Sequence, residues 1–279
     1  MVTSPMQVGV IGHPIGQSLS PLLHTRWIKA FDLDAVYTAI DGKDPETFRH
    51  IVKDCLAKGW KGLNVTIPFK ADALAMADHV TPRAKAIGAV NLLIFRGGKI
   101  YGDNTDAAGF QDALTASKWA MTLPSARVLG AGGAAPAILT ALKDMGFTDI
   151  SLTNRTLERA ENVAHRIGGV TPLAWEDRDQ GLEAIGVVVN TTSLGMVGQP
   201  PLDFSLNGLP ETSAVIDIIT TPLQTMLLQT AEERAHFTMK GLPMLVYQAI
   251  PSFEAWFGLK PADGEDAVAF LTREKTASP

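Results

Sequence analysis

The sequence predicts an α/β fold in two units, and three observations carry that expectation. Strand-like and helix-like segments alternate through the first 80 residues. A second alternating run starts near residue 124 with a strand, a glycine turn and a helix. The 279 residues suit two domains at roughly 100–200 residues each.

The elements follow in order. "QVGVIG" (7–12) is a short β-branched strand ended by glycine. "SPLLHTRWIKAFD" (20–32) carries Leu22, Leu23, Trp27, Ile28 and Phe31 near helical spacing. Ser20 before Pro21 reads as an N-cap followed by proline at the first helical position. "AVYTAID" is a second strand, and "PETFRHIVKDCLAKG" an amphipathic helix stopped by Gly59. "GLNVTIPF" (62–69) reads as a third strand that Pro68 stops by removing a backbone donor. Its period of two places Asn64 and Thr66 on one face, and the helical "KADALAMADHV" follows from Lys70. This β-α-β-α-β order predicts a mostly parallel sheet covered by helices. "GAVNLLIFRGGKIYGDNTD" (88–106) reads as two strands joined by a turn at Gly97-Gly98. A helical "GFQDALTASK" then leads into the second unit, "PSARVLGAGGAAPAILTALKDMGFTDISLTNRT". "GVVVNTTS" and "SAVIDIIT" are two more apolar strands, and the tail from "PMLVYQAIPSFEAWFG" onward is helical.

Composition narrows the function. The formal net charge is −5 with no basic block to offset it, so nucleic acid and anionic membrane surfaces are poor partners. Cys55 is the one cysteine, which excludes an intramolecular disulfide and a cysteine-rich metal site. The six histidines form no H-E-x-x-H pair, so no metal is expected. The N-terminus lacks the pattern of a signal peptide, and no apolar run reaches the roughly 18 residues of a membrane span. A cytoplasmic protein acting on a small molecule is the expectation. The oligomeric state is not legible, a homodimer being compatible with the sequence.

"VLGAGGAA" sets Gly130, Gly132 and Ala135 in the G-x-G-x-x-G/A pattern between a strand and a helix. Glycines there permit a tight turn and close approach of a pyrophosphate to the backbone, with the helix N-terminus supplying N–H groups and partial positive charge. A plain glycine-rich turn is the bland alternative. About 20 residues on, an enzyme selective for NAD carries Asp or Glu for the ribose 2′-hydroxyl. The sequence has Asn154, Arg155, Thr156 and Arg159 instead, with Glu158 expected on the following helix. Two guanidinium groups and a hydroxyl suit a 2′-phosphate, so NADP is preferred. The competing reading places both arginines on a solvated helix face.

"PIGQSLSP", "NVTIPFK", "GAVN", "GDNTD", "GAGGAA", "NRTLER", "NTTSLGM" and "GLPMLVYQ" occur in the order and spacing of the shikimate dehydrogenases, and from about residue 8 to 258 the chain resembles that family, which includes quinate dehydrogenases. The resemblance implies a substrate domain of residues 1–108 and 244–279, an inserted Rossmann-type NADP-binding domain of residues 109–243, and an active site in the cleft between them. It implies substrate contacts from Ser18, Ser20, Asn64, Thr66, Asn91, Thr105, Thr220 and Gln248, and makes Lys70 and Asp106 the catalytic pair. On the cofactor side it implies a pyrophosphate loop of Gly130, Ala131, Gly132, Gly133 and Ala134. Asn154, Arg155, Thr156 and Arg159 would take the adenosine phosphate, with Thr192, Ile218 and Gly241 completing the NADP site. The activity implied is NADP-dependent oxidation and reduction at a CH–OH group, between shikimate and 3-dehydroshikimate.

The residue types suit that chemistry independently. A small polyhydroxylated acid is best met by Ser, Thr, Asn and Gln, which donate and accept without adding charge. Taken singly, each could be a turn or cap residue: Ser20 as a cap, and "NTD" as a helix start with Asp106 favoured by the helix N-terminus. Carbonyl reduction also needs a proton for the developing alkoxide. Lys70 is the candidate donor or acceptor, and even a protonated lysine stabilises an oxyanion; by residue type alone it reads first as an exposed surface lysine, and the resemblance is what makes it the catalytic candidate. Asp106 would orient it and bind a hydroxyl.

The chain departs from the commonest family pattern at several positions. Thr220 stands where a tyrosine is usual in the substrate pocket, Ile218 for a methionine, Gln17 for a histidine and Pro136 for an arginine. The Thr220 change opens the pocket to a second reading, a quinate or aminoshikimate dehydrogenase. A non-catalytic sensor of such metabolites is the alternative from another class.

Overall fold

The computed structural model describes residues 4–277, and the chain divides into two compact units, residues 1–105 with 246–279 and residues 106–245. In the first unit β1 (Met6–Gly12), α1 (Ser20–Ala30), β2 (Ala35–Asp41), α2 (Pro45–Ala57), β3 (Gly62–Val65), α3 (Lys70–Met76), β4 (His79–Val80), α4 (Pro82–Ile87), β5 (Leu92–Arg96) and β6 (Lys99–Asp103) follow one another. The second contains α5 (Asp106–Ala116), β7 (Ser125–Leu129), α6 (Ala135–Asp144), β8 (Asp149–Thr153), α7 (Leu157–Ile167), β9 (Thr171–Leu173), β10 (Val187–Asn190), β11 (Ala214–Asp217), α8 (Met226–Glu233) and β12 (Phe237–Met239). Helix α9 (Gly241–Phe257) contains the second unit boundary, and α10 (Gly264–Ala277) ends the described chain.

The first sheet runs β2-β1-β3-β5-β6-β4. Strand β1 is parallel to β2 and β3, whereas β5 is antiparallel to both β3 and β6. Local chemistry explains much of this. Asp44 caps α2 by accepting from the Glu46 and Thr47 amides at 2.9 Å, and Pro45 occupies the first turn. Phe48, Val52 and Cys55 then form the buried face of α2. Gly97 and Gly98 both take positive φ, as a two-residue turn matched to strand twist requires. The core gathers Ile11, Phe48, Leu63, Phe69 and Leu93.

The second sheet is entirely parallel, in the order β12-β11-β10-β7-β8-β9. Read from β9, that is the 3-2-1-4-5-6 order of a doubly wound dinucleotide-binding fold, with the switch point between β7 and β10. Leu129, Val188, Val215 and Leu228 are central to its core.

Three local expectations are corrected. Strand β3 stops at Val65, four residues before the sequence pattern ends. The Phe69 ring is fully buried and stacks on Phe48 at 4.8 Å, so the chain must turn at 66–69, with the Phe69 amide donating to Thr66 O at 3.0 Å. Thr66 therefore lies beyond the strand instead of sharing a strand face with Asn64, and Ile67 is left exposed. Secondly, the "KADALAMADHV" helix ends at Met76, because His79 and Val80 pair with β6. Thirdly, Ser20 is the first residue of α1, not its cap: Leu19 occupies that position, with no side-chain capping bond. Among the described residues no helix is long and apolar enough to cross a membrane, and no cluster of His, Cys, Asp and Glu could hold a metal.

Candidate active site

In the first unit topology gathers residues that are far apart in sequence. Strands β1 and β3 are parallel, so their carboxyl ends share one edge of the sheet. Because β5 is antiparallel, its amino end reaches that same edge, and the carboxyl end of β6 returns to it. Asn64, Asn91, Asn104 and Thr105 thus meet at one rim, where α/β sheets present ligand sites. The Val65 amide donates to Asn91 O at 2.8 Å, and Asn91 N to Asp103 O at 3.0 Å.

An uncharged polar cluster fills this rim. Asn91 Nδ2 donates to Thr105 Oγ1 at 3.0 Å and to Gln248 Oε1 of α9 at 3.3 Å, while Thr105 N donates to Asn91 Oδ1 at 2.8 Å. Asn64 Nδ2 donates to Ser252 Oγ at 2.9 Å and to Asn91 O at 3.3 Å. Asn64, Asn91 and Thr105 are all buried. Asn104, also buried, ties its amide to Ala89 O at 3.0 Å, a structural role within "GDNTD".

Ser18 is half-buried and Ser20 buried, where the 13–19 segment enters α1. Ser18 Oγ accepts weakly from Ser20 N at 3.4 Å. The Ser20 side chain lies beside the Tyr37 phenol and lowers its pKa, against the larger effect of burial, which raises it. Thr66 and Lys70 are half-buried. Lys70 opens α3, and its carbonyl accepts from Val90 N at 3.0 Å. Asp106, buried, is the first residue of α5 and so of the second unit.

In the second unit, the glycine turn joins β7 to α6. Gly130 has φ +96, and a Cβ there would lie 2.6 Å from Thr192 Cγ2 and 3.1 Å from Thr192 N. Thr191 Oγ1 holds the turn through Leu129 O and Gly130 O, at 2.9 and 2.8 Å. Gly132 and Gly133 are exposed, Ala131 and Ala134 half-buried, and no side chain caps α6. Pro136, buried in its first turn, lacks an N–H where helices have one to spare. The turn is open to a phosphate, with a tight backbone and uncapped helical amides, so these residues fit a dinucleotide.

Asn154 Oδ1 accepts from Ala131 N at 3.1 Å and its Nδ2 donates to Thr156 O at 2.9 Å, so the side chain also braces the glycine turn against the strand end. Arg155, Thr156 and Arg159 are exposed, and the Thr156 hydroxyl makes no capping bond to α7.

Thr192 Oγ1 donates to Asn190 Oδ1 at 2.7 Å, and Asn190 Nδ2 donates to Asp217 Oδ1 at 3.1 Å. Asp217 also accepts from Ile219 N at 3.0 Å and Thr225 Oγ1 at 2.8 Å. Burial pushes this carboxyl above its ordinary value, opposed by those hydrogen bonds. The network braces the segment carrying Ile218 and Thr220, both half-buried. At Gly241, the start of α9, a Cβ would approach Ile218 O to 2.4 Å and Ile219 O to 2.5 Å, so the residue must be glycine.

Sequence reasoning missed Tyr37, Ser252, Asn190 and Asp217. A tyrosine in a strand otherwise destined for burial was a usable signal, since a buried phenol needs a partner.

Substituting Gly130 with alanine is expected to weaken NADPH binding about tenfold or more, since strained positive-φ backbone costs about 1–3 kcal/mol and Thr192 must also move. Fluorescence titration measures it. An unchanged dissociation constant would remove the turn from the cofactor site.

Three segments match family models: the shikimate dehydrogenase substrate binding domain over residues 10–93, shikimate / quinate 5-dehydrogenase over 115–196, and the shikimate 5'-dehydrogenase C-terminal domain over 241–266. A shikimate dehydrogenase (NADP(+)) of Methylobacterium radiotolerans is 46% identical over 258 residues, covering 90% of this chain and 91% of the relative. Among solved structures, shikimate 5-dehydrogenase from Thermus thermophilus, in complex with NADP(H) and shikimate, has a TM-score of 0.87 at 33% identity, covering 96% of this chain and 99% of that one. A quinate dehydrogenase from Corynebacterium glutamicum in complex with NAD has a TM-score of 0.89 at 28% identity, covering 97% and 100%.

Proposed function

Because the chain belongs to the shikimate dehydrogenase family, we propose that it reversibly reduces 3-dehydroshikimate to shikimate with NADPH. The observation that carries this reading is the rim cluster of buried Asn64, Asn91 and Thr105 with half-buried Gln248, uncharged and rich in both donors and acceptors. Such a cluster selects a small polyol and gives nothing to an apolar ligand.

Ser18 and Ser20 supply hydroxyls for the substrate carboxylate. Asn64, Thr66, Asn91, Thr105 and Gln248 meet its hydroxyls, and Asp106 accepts from another. Bound NADPH supplies the hydride for the carbonyl carbon. Lys70 Nζ delivers the proton to the carbonyl oxygen during reduction and takes it back during oxidation, and its charge stabilises the oxyanion as it forms. Gly130, Ala131, Gly132, Gly133 and Ala134 cradle the pyrophosphate. Arg155, Thr156 and Arg159 take the 2′-phosphate, with Asn154 holding the turn in register. Thr192, Ile218 and Gly241 complete the cofactor site. The cytoplasm, where a biosynthetic NADPH-dependent reduction is supplied with cofactor, is the setting this reading implies.

Thr220 supports a second reading. Threonine in a tyrosine position leaves more room, which suits quinate, the substrate named for the Corynebacterium glutamicum relative. The test is purified protein with shikimate or quinate, each with NADP or NAD, followed at the reduced-nicotinamide absorbance band. Shikimate with NADP is expected to be the best pair. Quinate with NAD as the best pair would reject both substrate and cofactor, and binding without turnover would favour a sensor.

A further inference from the structure

We propose that Tyr37 is a positioning residue of the substrate site: its buried hydroxyl fixes the Asn64 amide in the orientation that receives a hydroxyl of a small polyhydroxylated acid. The inference rests on the functional reading above and adds a residue to it.

Tyr37 lies in β2, paired in register with Val8 of β1. Its side chain is 6% exposed. The ring stacks on His24 with centroids 4.2 Å apart and planes 6° apart, and Trp256 lies at 6.2 Å. This aromatic bed leaves the hydroxyl one direction to point, toward the rim. There it donates to Asn64 Oδ1 at 2.8 Å. Burial raises the phenol's pKa well above its ordinary value, so it stays a donor throughout the working pH range.

The consequence for Asn64 is specific. Both Nδ2 protons are engaged, by Ser252 Oγ and by Asn91 O. Oδ1 receives the Tyr37 proton and keeps one lone pair. Flipping the amide would set Oδ1 against the Asn91 carbonyl, two acceptors facing each other. Asn64 therefore offers a ligand an acceptor and no donor, so it reads a substrate hydroxyl and rejects a carboxylate oxygen. Removal of the phenol hydroxyl leaves Asn64 Oδ1 without a donor.

Steady-state shikimate oxidation by wild type and Tyr37→Phe tests this. Phenylalanine keeps the ring and its stack on His24. The KM for shikimate is expected to rise roughly three- to tenfold, the scale of one hydrogen bond, with kcat changed much less and the KM for NADP unchanged. Ser252→Ala, which removes another anchor of Asn64 without touching the aromatic bed, is expected to shift the same constant in the same direction. An unaltered KM for shikimate in a folded Tyr37→Phe overturns the inference. So does a parallel loss of kcat, both KM values and thermal midpoint, the pattern of a merely structural residue. Should Tyr37→Phe fail to fold, an unaltered KM in Ser252→Ala overturns it instead. Wild-type protein that neither binds nor oxidises shikimate overturns the functional reading, and this inference with it.

Discussion

Lys70→Ala is expected to lower turnover by roughly 10²- to 10⁴-fold, the range that a positioned proton donor contributes, while the KM for shikimate moves far less. The structure separates this loss from misfolding. Lys70 is the first residue of α3, and the buried ring of Phe69 just before it anchors the turn. Alanine is a better helix former than lysine. A cation at a helix N-terminus also opposes the helix dipole, by some 0.3–1 kcal/mol. Losing the lysine therefore removes an unfavourable term along with its favourable contacts, and the thermal midpoint is expected to stay within about 3 °C of wild type. A lysine kept where helix electrostatics disfavour it needs another reason to be there. Lys70→Arg sharpens the test. Arginine keeps the charge but does not give up a proton, so it should stay slow if Lys70 transfers the proton and recover if the charge alone matters. Near-normal turnover in Lys70→Ala would remove this residue from the mechanism.

His24→Phe is expected to flatten the loss of stability in mild acid. His24 is fully buried among Trp27, Tyr37, Phe253 and Trp256, and neither ring nitrogen has a hydrogen-bond partner among the described residues. Burial lowers its pKa from 6.5 to about 3. The unfolded chain therefore takes a proton below pH 6.5 that the folded chain refuses until about pH 3. Stability is intact above pH 6.5 and falls across that window, by about 1.4 kcal/mol per pH unit. Comparing urea midpoints at pH 7.5 and 5.0, this site accounts for about 2 kcal/mol of the difference in wild type and none in His24→Phe. At pH 7.5 the variant gains by losing two unpartnered nitrogens and loses a little to the larger ring. An equal drop in both proteins would show that other groups carry the acid sensitivity.

Much of the fold was legible because its signals are local. The α/β alternation, the glycine turn ahead of α6 and the Gly97-Gly98 hairpin are each carried by a few neighbouring residues. The misreadings arose where distant residues decided. Phe69 enters the core against Phe48, which ends β3 early and takes Thr66 out of the strand. Ser20 resembled a cap, yet it is the first residue of α1 and Leu19 holds the cap position.

By itself the sequence determined the fold class, the glycine turn, the arginines that follow β8 and the short polar residues available to a polyol. These depend on residue type and near-neighbour spacing, and periodicity and turn chemistry act over that range. Only the tertiary structure decided which polar groups face one another. The antiparallel β5 brings Asn91 beside Asn64, helix α9 brings Gln248 and Ser252 to both, and β2 sets Tyr37 beneath them. Hydrogen bonds form between groups about 3 Å apart, whatever number of residues separates them along the chain. Strand order and burial therefore chose these partners, and neither is written in any short stretch of sequence.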